Sequence, residues 1–351
     1  MSTSGTVSAV TFKFYELMEE AGARAKIPPE MLTGEAVVRT MRLVNLALSD
    51  MINAGIQLWT REKVTYPLYE GTMMVDTGSG TSLILSANRR TLSRLSGTNA
   101  TSDGGTVANA FDDDFDTILT QTGTNGNVST VFDSATTVNV VGLLPGATGT
   151  RSYVVENSSN GSTWNTVLAI GSTAYVDDEW KWYDLDGVRA RAYWRVRETG
   201  GGILSFRELY WGNNPSEVPL APLNLDDYNA MPNKSFSGQV VQYYQDRRVD
   251  QPRLFTWPVC SASYKYDQLV CYRQRYIQDV TGMMQDVEVP QRWRTALVSV
   301  LAVKMCESFS EADKTLLPSL QGAKATDLAL ARGEERDPSP FIIRPDISMY
   351  T

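Results

Sequence analysis

One change of texture constrains this chain more than any other feature. From about Ser93 to Asn214 it is dense in Gly, Ser, Thr, Asn and Asp, with short apolar runs between turn signals. The segments "RSYVVENS" (151–158), "TWNTVLAIG" (163–171) and "AYWRVRE" (192–198) read as strands, and no helical period of useful length interrupts them. That is the pattern of an all-β sandwich made of short strands. The flanks read differently, so 93–214 is expected to be an inserted domain. Segments 1–92 and 215–335 then form one discontinuous domain, a division that 351 residues are long enough to support.

The flanks carry the helical signals. Glu16, Leu17 and Met18 fall in a short helix ending near Gly22. A second helix is expected after Thr33, placed as an N-cap, with Val37, Met41, Val44, Leu48 and Met51 as its core-facing stripe. "LWTREKVTYPLY" (58–69) follows as a strand. Beyond the insert, "FSGQVVQYYQDRRVDQPRLFTWPV" (236–259) and "QLVCYRQRYI" (268–277) read as strands of a meander. Pro290 opens a helix with Trp293, Leu297, Val300, Leu301 and Met305 inward. Pro318 opens another with Leu320, Ala323, Leu328 and Ala331 inward. The expected fold class is α+β: a helical bundle with a β-meander, plus an inserted all-β jelly-roll sandwich.

Composition narrows the chemistry. The chain has no histidine, which removes Ser–His–Asp and Cys–His nucleophiles and histidine-containing zinc sites. Carboxylates alone can still serve an enzyme, but no pair of them stands on a recognisable catalytic pattern, so a carboxylate hydrolase ranks last and no enzyme activity is expected. The formal net charge is −8, of which residues 93–214 supply −6, with 14 Asp/Glu against 8 Lys/Arg. Stable binding to nucleic acid or to an anionic membrane surface is disfavoured, because phosphate contacts need Lys and Arg. Cys260, Cys271 and Cys306 are odd in number and lack a CxxC, which reads as reduced thiols in a protein assembled in the cytosol, although Cys260 and Cys271 could face each other across a hairpin. No apolar run reaches a membrane-spanning length, and the N-terminus lacks a secretory signal pattern.

Ordered motifs in the flanks carry a first resemblance. Asp227–Tyr228, Pro232–Lys234, Gly238, Tyr243, Asp246–Arg247, Leu254, Trp257–Pro258 and Pro290–Trp293 occur in sequence, with "LVNLALSDMINAGIQLW" (43–59) upstream. Together they resemble the head-to-tail adaptor family of short-tailed bacteriophages, over about two-thirds of the chain. The resemblance implies a virion protein assembled in the host cytoplasm as a homo-oligomeric, dodecameric ring. Such a ring joins the portal protein to the tail nozzle protein, extends the DNA channel and helps retain the packaged genome. The apolar residues Phe341, Ile342, Ile343 and Tyr350 in the proline-rich stretch 336–351 have no evident core. They read as a partner-docking arm or as a fraying terminus, and the resemblance gives the arm a portal to dock on.

The insert carries a second resemblance. "ANAFDDDFDT" (108–117), "SSNGSTWNTV" (158–167) and "ARAYWRVRETGGGILSFRELYWG" (190–212) occur in the order of the discoidin (F5/8 type C) β-sandwich, also found in carbohydrate-binding modules. Asp113 stands where that family has Gly, Leu119 where a Trp is expected, and Asn160 where the turn has Asp. The resemblance implies a structural calcium held by Asp112, Asp114, Thr117 and Glu208, with oxygen ligands suited to a hard cation. The bland alternative for the four aspartates is a solvated acidic turn. An EF-hand is excluded, because Thr117 and Gly123 stand where that loop needs Gly and Glu. Two functions from different classes follow: the portal–tail adaptor, and a carbohydrate-binding virion or surface module acting through the sandwich. The insert could also touch glycans or tail fibres from an adaptor ring.

Overall fold

The computed structural model describes residues 12–54, 58–78, 80–185, 189–248 and 252–334. Five α-helices occur among them: α1 (Phe14–Arg24), α2 (Glu35–Asn53), α3 (Leu225–Ala230), α4 (Arg294–Ser308) and α5 (Leu317–Glu334). The described residues form two compact units, one reaching Glu62 and resuming at Gln274, the other spanning Lys63–Arg273.

The first unit holds α1, α2, α4 and α5 around one core. After Pro290 and the 3-10 turn Gln291–Trp293, α4 is buried on nearly every side from Ala296 to Val303. The reason is that α1, α2 and α5 all pack on it. Trp293 is fully buried with its ring 5.9 Å from that of Trp59. The amide of Asn45 on α2 is satisfied twice by the backbone of Val280, at 3.1 and 2.9 Å. The cap expected at Thr33 is displaced by one residue. Gly34 caps α2 at φ +55°, a conformation that disfavours other residues, while the Thr33 hydroxyl donates back to the Glu30 carbonyl. On α5, Leu320 and Ala331 are buried but Ala323 is exposed.

The second unit is built on strands, numbered here in chain order: β1 (Arg61–Pro67), β2 (Met74–Asp76), β3 (Thr81–Arg94), β4 (Asn99–Ser102), β5 (Leu119–Thr124) and β6 (Asn127–Thr136). Next come β7 (Val140–Pro145), β8 (Gly149–Ser158), β9 (Asn165–Tyr175), β10 (Lys181–Asp184), β11 (Arg191–Glu198) and β12 (Ile203–Pro219). The last are β13 (Ala221–Leu223), β14 (Ser237–Gly238), β15 (Gln242–Asp246), β16 (Arg253–Trp257), β17 (Val259–Cys260) and β18 (Gln268–Arg275). The largest sheet runs β1-β18-β3-β12-β7-β10, with β5 also on β12; a five-stranded sheet runs β4-β6-β11-β8-β9. A four-stranded sheet, β13-β15-β16-β2, and the pair β14-β17 complete it.

The five-stranded sheet and the β5/β12/β7 part of the large sheet enclose one core, so residues 99–212 form a jelly-roll-type β-sandwich. Alternation sets the faces. On β11, Trp194 and Val196 point inward, and on β12 Leu209 and Trp211 do so. Trp211 donates Nε1–H to Thr130 Oγ1 at 2.9 Å, which satisfies the indole inside the core. Burial of each large aromatic here contributes on the order of 2–3 kcal/mol.

The expected fold class is corrected by this architecture. The protein is mostly β, 41% strand against 28% helix, and the four packed helices of the first unit, only two of them long among the described residues, do not make the expected helical-bundle core. Among the described residues only α2 and α5 exceed 15 residues. Strands β3 and β12 run on beyond the sandwich and pair with each other, and β18 and β1 add to β3, so these stretches extend the sandwich's own sheet. The predicted meander is also broken up: β18 lies between β1 and β3, while β13 joins β15 in parallel. Strands β3 and β12 pair at Gly212↔Arg94 and Asn213↔Ser93 and again from Ser216↔Thr91 to Pro219↔Asn88, and the expected junctions at 92/93 and 214/215 fall at the irregularity between these two paired stretches. The three cysteines are free and buried. No helix among the described residues is long and apolar enough to cross a membrane.

Candidate functional site

The acidic loop 111–118 lies between the 3-10 turn Val107–Ala110 and β5. Its aspartates fold it locally: Asp112 Oδ1 accepts Asp114 N–H at 3.1 Å, and Asp114 Oδ1 accepts Asp116 N–H at 3.0 Å. Thr117 Oγ1 is the meeting point. Asp112 Oδ2 lies 2.9 Å from it, the Asp114 carbonyl 3.1 Å and the Asn109 carbonyl 3.4 Å. A hydroxyl has one proton to donate, so three acceptors around it leave an oxygen-rich cluster with a deficit of positive charge. One carboxylate, one hydroxyl and two carbonyls are the donor types that a hard divalent cation takes. Asp112 meets Thr117 through its carboxylate, whereas Asp114 does so only through its backbone carbonyl, its carboxylate accepting the Asp116 amide, and the Asn109 carbonyl is a member that side-chain motifs do not announce.

Glu208 does not join that cluster. It is fully buried, and Arg94 Nη2 donates to its Oε1 while the Asp113 amide donates to Oε2 at 3.2 Å. Burial pushes its carboxyl up to about 7, against the opposing pull of Arg94. The position facing this carboxylate is held by a guanidinium, which disfavours Glu208 as a metal ligand. Among the described residues no group of three or more His, Cys, Asp or Glu is arranged for a metal.

Asp113, where the family has glycine, sits at φ +66°. Aspartate tolerates that region better than most residues, and here three side chains fix it. Arg94 Nη1 donates to Asp113 Oδ1 at 3.0 Å, Tyr266 donates its hydroxyl to the same oxygen, and Lys265 Nζ lies 3.3 Å from Oδ2. Arg94 also lies over the rings of Tyr210 and Tyr266, at 5.4 and 5.3 Å. Arg207 clamps the loop's other side, bidentate to Asp177 at 2.9 and 3.0 Å and donating to the Phe115 carbonyl at 2.8 Å. Sequence reasoning missed Arg94, Lys265 and Tyr266, which lie 19 to 153 residues from Asp113.

The turn after β8 is built by local hydrogen bonds. Ser158 Oγ accepts the amides of Asn160 and Gly161, and Asn160 Oδ1 accepts those of Ser162 and Thr163. Trp164 then carries Arg195 over its ring at 4.0 Å, and Arg195 pairs with Glu156 at 2.7 Å. These groups hold the outer face of the five-stranded sheet.

Elsewhere on the sandwich, two loops lock together. Asn125 donates its backbone N–H to the Gly202 carbonyl at 3.1 Å, and its Oδ1 accepts the Gly201 amide at 3.0 Å. The fully buried Glu198 carboxylate accepts the Gly200 and Gly202 amides, each at 2.9 Å. Thr124, Asn125 and Thr199 are exposed, with Arg151 half-buried on the adjoining β8. Phe341, Ile342, Ile343 and Tyr350 lie outside the described residues.

No family model and no curated protein matches the chain. Among solved structures, its sandwich portion is similar to the CBM32 module of AlyQ, described in complex with 4,5-unsaturated mannuronic acid. That match has 16% identity and TM-score 0.30, covering 34% of this chain and 97% of that one. It is also similar to chitosan-binding module 1 of a chitosanase/glucanase from Paenibacillus sp. IK-5, at 22% identity and TM-score 0.28, covering 33% and 94%. A third is an F5/8 type C domain from Bacteroides fragilis, at 13% identity and TM-score 0.30, covering 35% and 97%. None of these findings supports the adaptor resemblance of the flanks, or its portal, tail and ring partners.

Proposed function

We propose that this chain is a carbohydrate-binding protein of a virion or cell surface that acts through its sandwich, holding its ligand without turnover. The observation that supports this most is the locked loop pair 124–126 and 199–202. Its backbone is fixed by Asn125 and by the buried Glu198, while Thr124, Asn125 and Thr199 remain exposed. Exposed amide and hydroxyl groups suit a ligand rich in hydroxyls, and loops already ordered lose little entropy on binding. The discoidin-type motifs agree with this reading, since each falls at a structural turn or strand of the sandwich.

A calcium ion would be held by Asp112, the Thr117 hydroxyl and the carbonyls of Asn109 and Asp114. Bound there, it would supply positive charge beside the Asp112 carboxylate, on the side of the loop away from Asp113 and its Arg94 and Lys265 partners, as a structural ion rather than a reactant. Glu208 is left out of this set because Arg94 already pairs with it.

A glycan array probed with the full chain tests the proposal. Reproducible binding that is lost in Asn125→Ala, with unchanged near-ultraviolet circular dichroism, supports it. An array with no reproducible signal, or binding indifferent to changes at Asn125, Arg151 and Thr199, overturns it.

A further inference from the structure

The first unit carries a cleft that the sandwich does not use. Helices α2 and α5 both pack on α4 and scarcely on each other. An open cleft of about 220 Å³ lies between them. Met51 lines one wall together with Ala47 and Ala54, two side chains too small to close the gap. Val300 of α4 forms the floor, and Leu328 of α5 lines the facing wall. Met51 and Val300 are buried and Leu328 is half-buried, so the surface between α2 and α5 is apolar.

The rim of this cleft is cationic. Lys324 and Arg332 stand four residues to either side of Leu328, which puts all three on one face of α5. Neither cation has a hydrogen bond or an ion pair among the described residues. Asp50, the one acid of the lining, is already held by Lys304 at 2.8 Å. Two positive charges thus stand without a counter-ion beside an apolar surface, in a chain whose formal net charge is −8.

That pairing selects a ligand class. Each methylene taken from water onto an apolar surface favours binding by up to about fourfold. A negative charge at an exposed cation adds about a further threefold. A neutral sugar would leave the apolar walls unused, and an amine would be repelled by the rim. The cleft is also smaller than the roughly 300–1,000 Å³ of drug-sized sites, so its ligand is small. We propose that the cleft binds a medium-chain aliphatic carboxylate, its chain along Met51, Val300 and Leu328 and its carboxylate at the Lys324 and Arg332 rim. Carbohydrate binding by the sandwich plays no part in this.

A titration of the full-length chain with sodium octanoate tests it, followed by carbon-13 signals of the methionine methyls. Met51 lines the cleft, and its signal is assigned by its loss in Met51→Leu. The Met51 methyl should shift saturably with octanoate, and octylammonium should bind about tenfold more weakly. Lys324→Gln combined with Arg332→Gln should weaken octanoate about tenfold. Arg42→Gln, which removes an exposed cation of α2 outside the cleft, should change it by less than about twofold. The octylammonium comparison uses the unaltered chain and so does not depend on the folding of any variant. The absence of a saturable Met51 shift, octylammonium binding as tight as octanoate, or a loss in Arg42→Gln equal to that of the double variant would each overturn the proposal.

Discussion

Arg94, the last residue of β3, places its guanidinium on the carboxylate of Glu208, a β12 side chain with no solvent exposure. The same guanidinium reaches Asp113 at 3.0 Å, so one cation ties the acidic loop to both strands. Replacing it leaves a buried carboxylate without its partner. Arg94→Met is expected to lower stability by about 3 kcal/mol at pH 8, by urea denaturation, since breaking one side of a buried pair costs more than removing both. Glu208→Gln, which keeps the shape and removes the charge, should cost less.

The pH dependence of that pair has a definite sign. Burial raises the folded pKa of Glu208 from 4.5 to about 7, so the folded state favours its protonated form. The corresponding stabilisation is fully present below about 4.5 and is lost as pH rises through about 7. Denaturation midpoints taken between pH 4 and 8 should show this loss in the wild type, and Glu208→Gln should flatten it. An unchanged slope in that variant would contradict the assignment.

The oxygen cluster around Thr117 predicts a response to calcium. Adding Ca²⁺ in hundredfold excess over its dissociation constant should stabilise the fold by about 2.7 kcal/mol, read as a rise in melting temperature. Asp112→Ala should remove the response, whereas Glu208→Gln should retain it because Glu208 faces Arg94 instead.

A fourth test concerns the sandwich core. Thr130→Val keeps the volume and deletes the acceptor of Trp211 Nε1–H, 2.9 Å away. The orphaned indole donor should cost about 1–3 kcal/mol in a thermal or chemical melt. Trp211→Phe with Thr130→Val should recover part of the polar penalty but not the packing.

The sandwich strands were legible because period-two alternation and turn residues act over a few positions. "RSYVVENS" and "AYWRVRE" fall within β8 and β11. Asp112, Asp114 and Thr117 were legible as a group for the same reason, being within six residues of one another. The Arg94–Glu208 pair spans 114 residues, and pairing at that range follows from how β3 and β12 are registered, which periodicity does not report. The flanks misled for a related reason. Their strands are evident locally, but nothing in "LWTREKVTYPLY" or "QLVCYRQRYI" says which sheet they join. Gly34 was missed because Thr33 satisfies the usual preference for a capping side chain, while the backbone there needs positive φ.

The 14 residues of β3 and the 17 of β12 carry the flanking sheet into the sandwich without a linker. A flexible tether would let the sandwich swivel. Here a pull on the sandwich is borne by two covalent backbones and by the paired stretches on either side of the irregularity between Asn213 and Ser216. Its direction relative to the rest of the second unit is set when the strands pair.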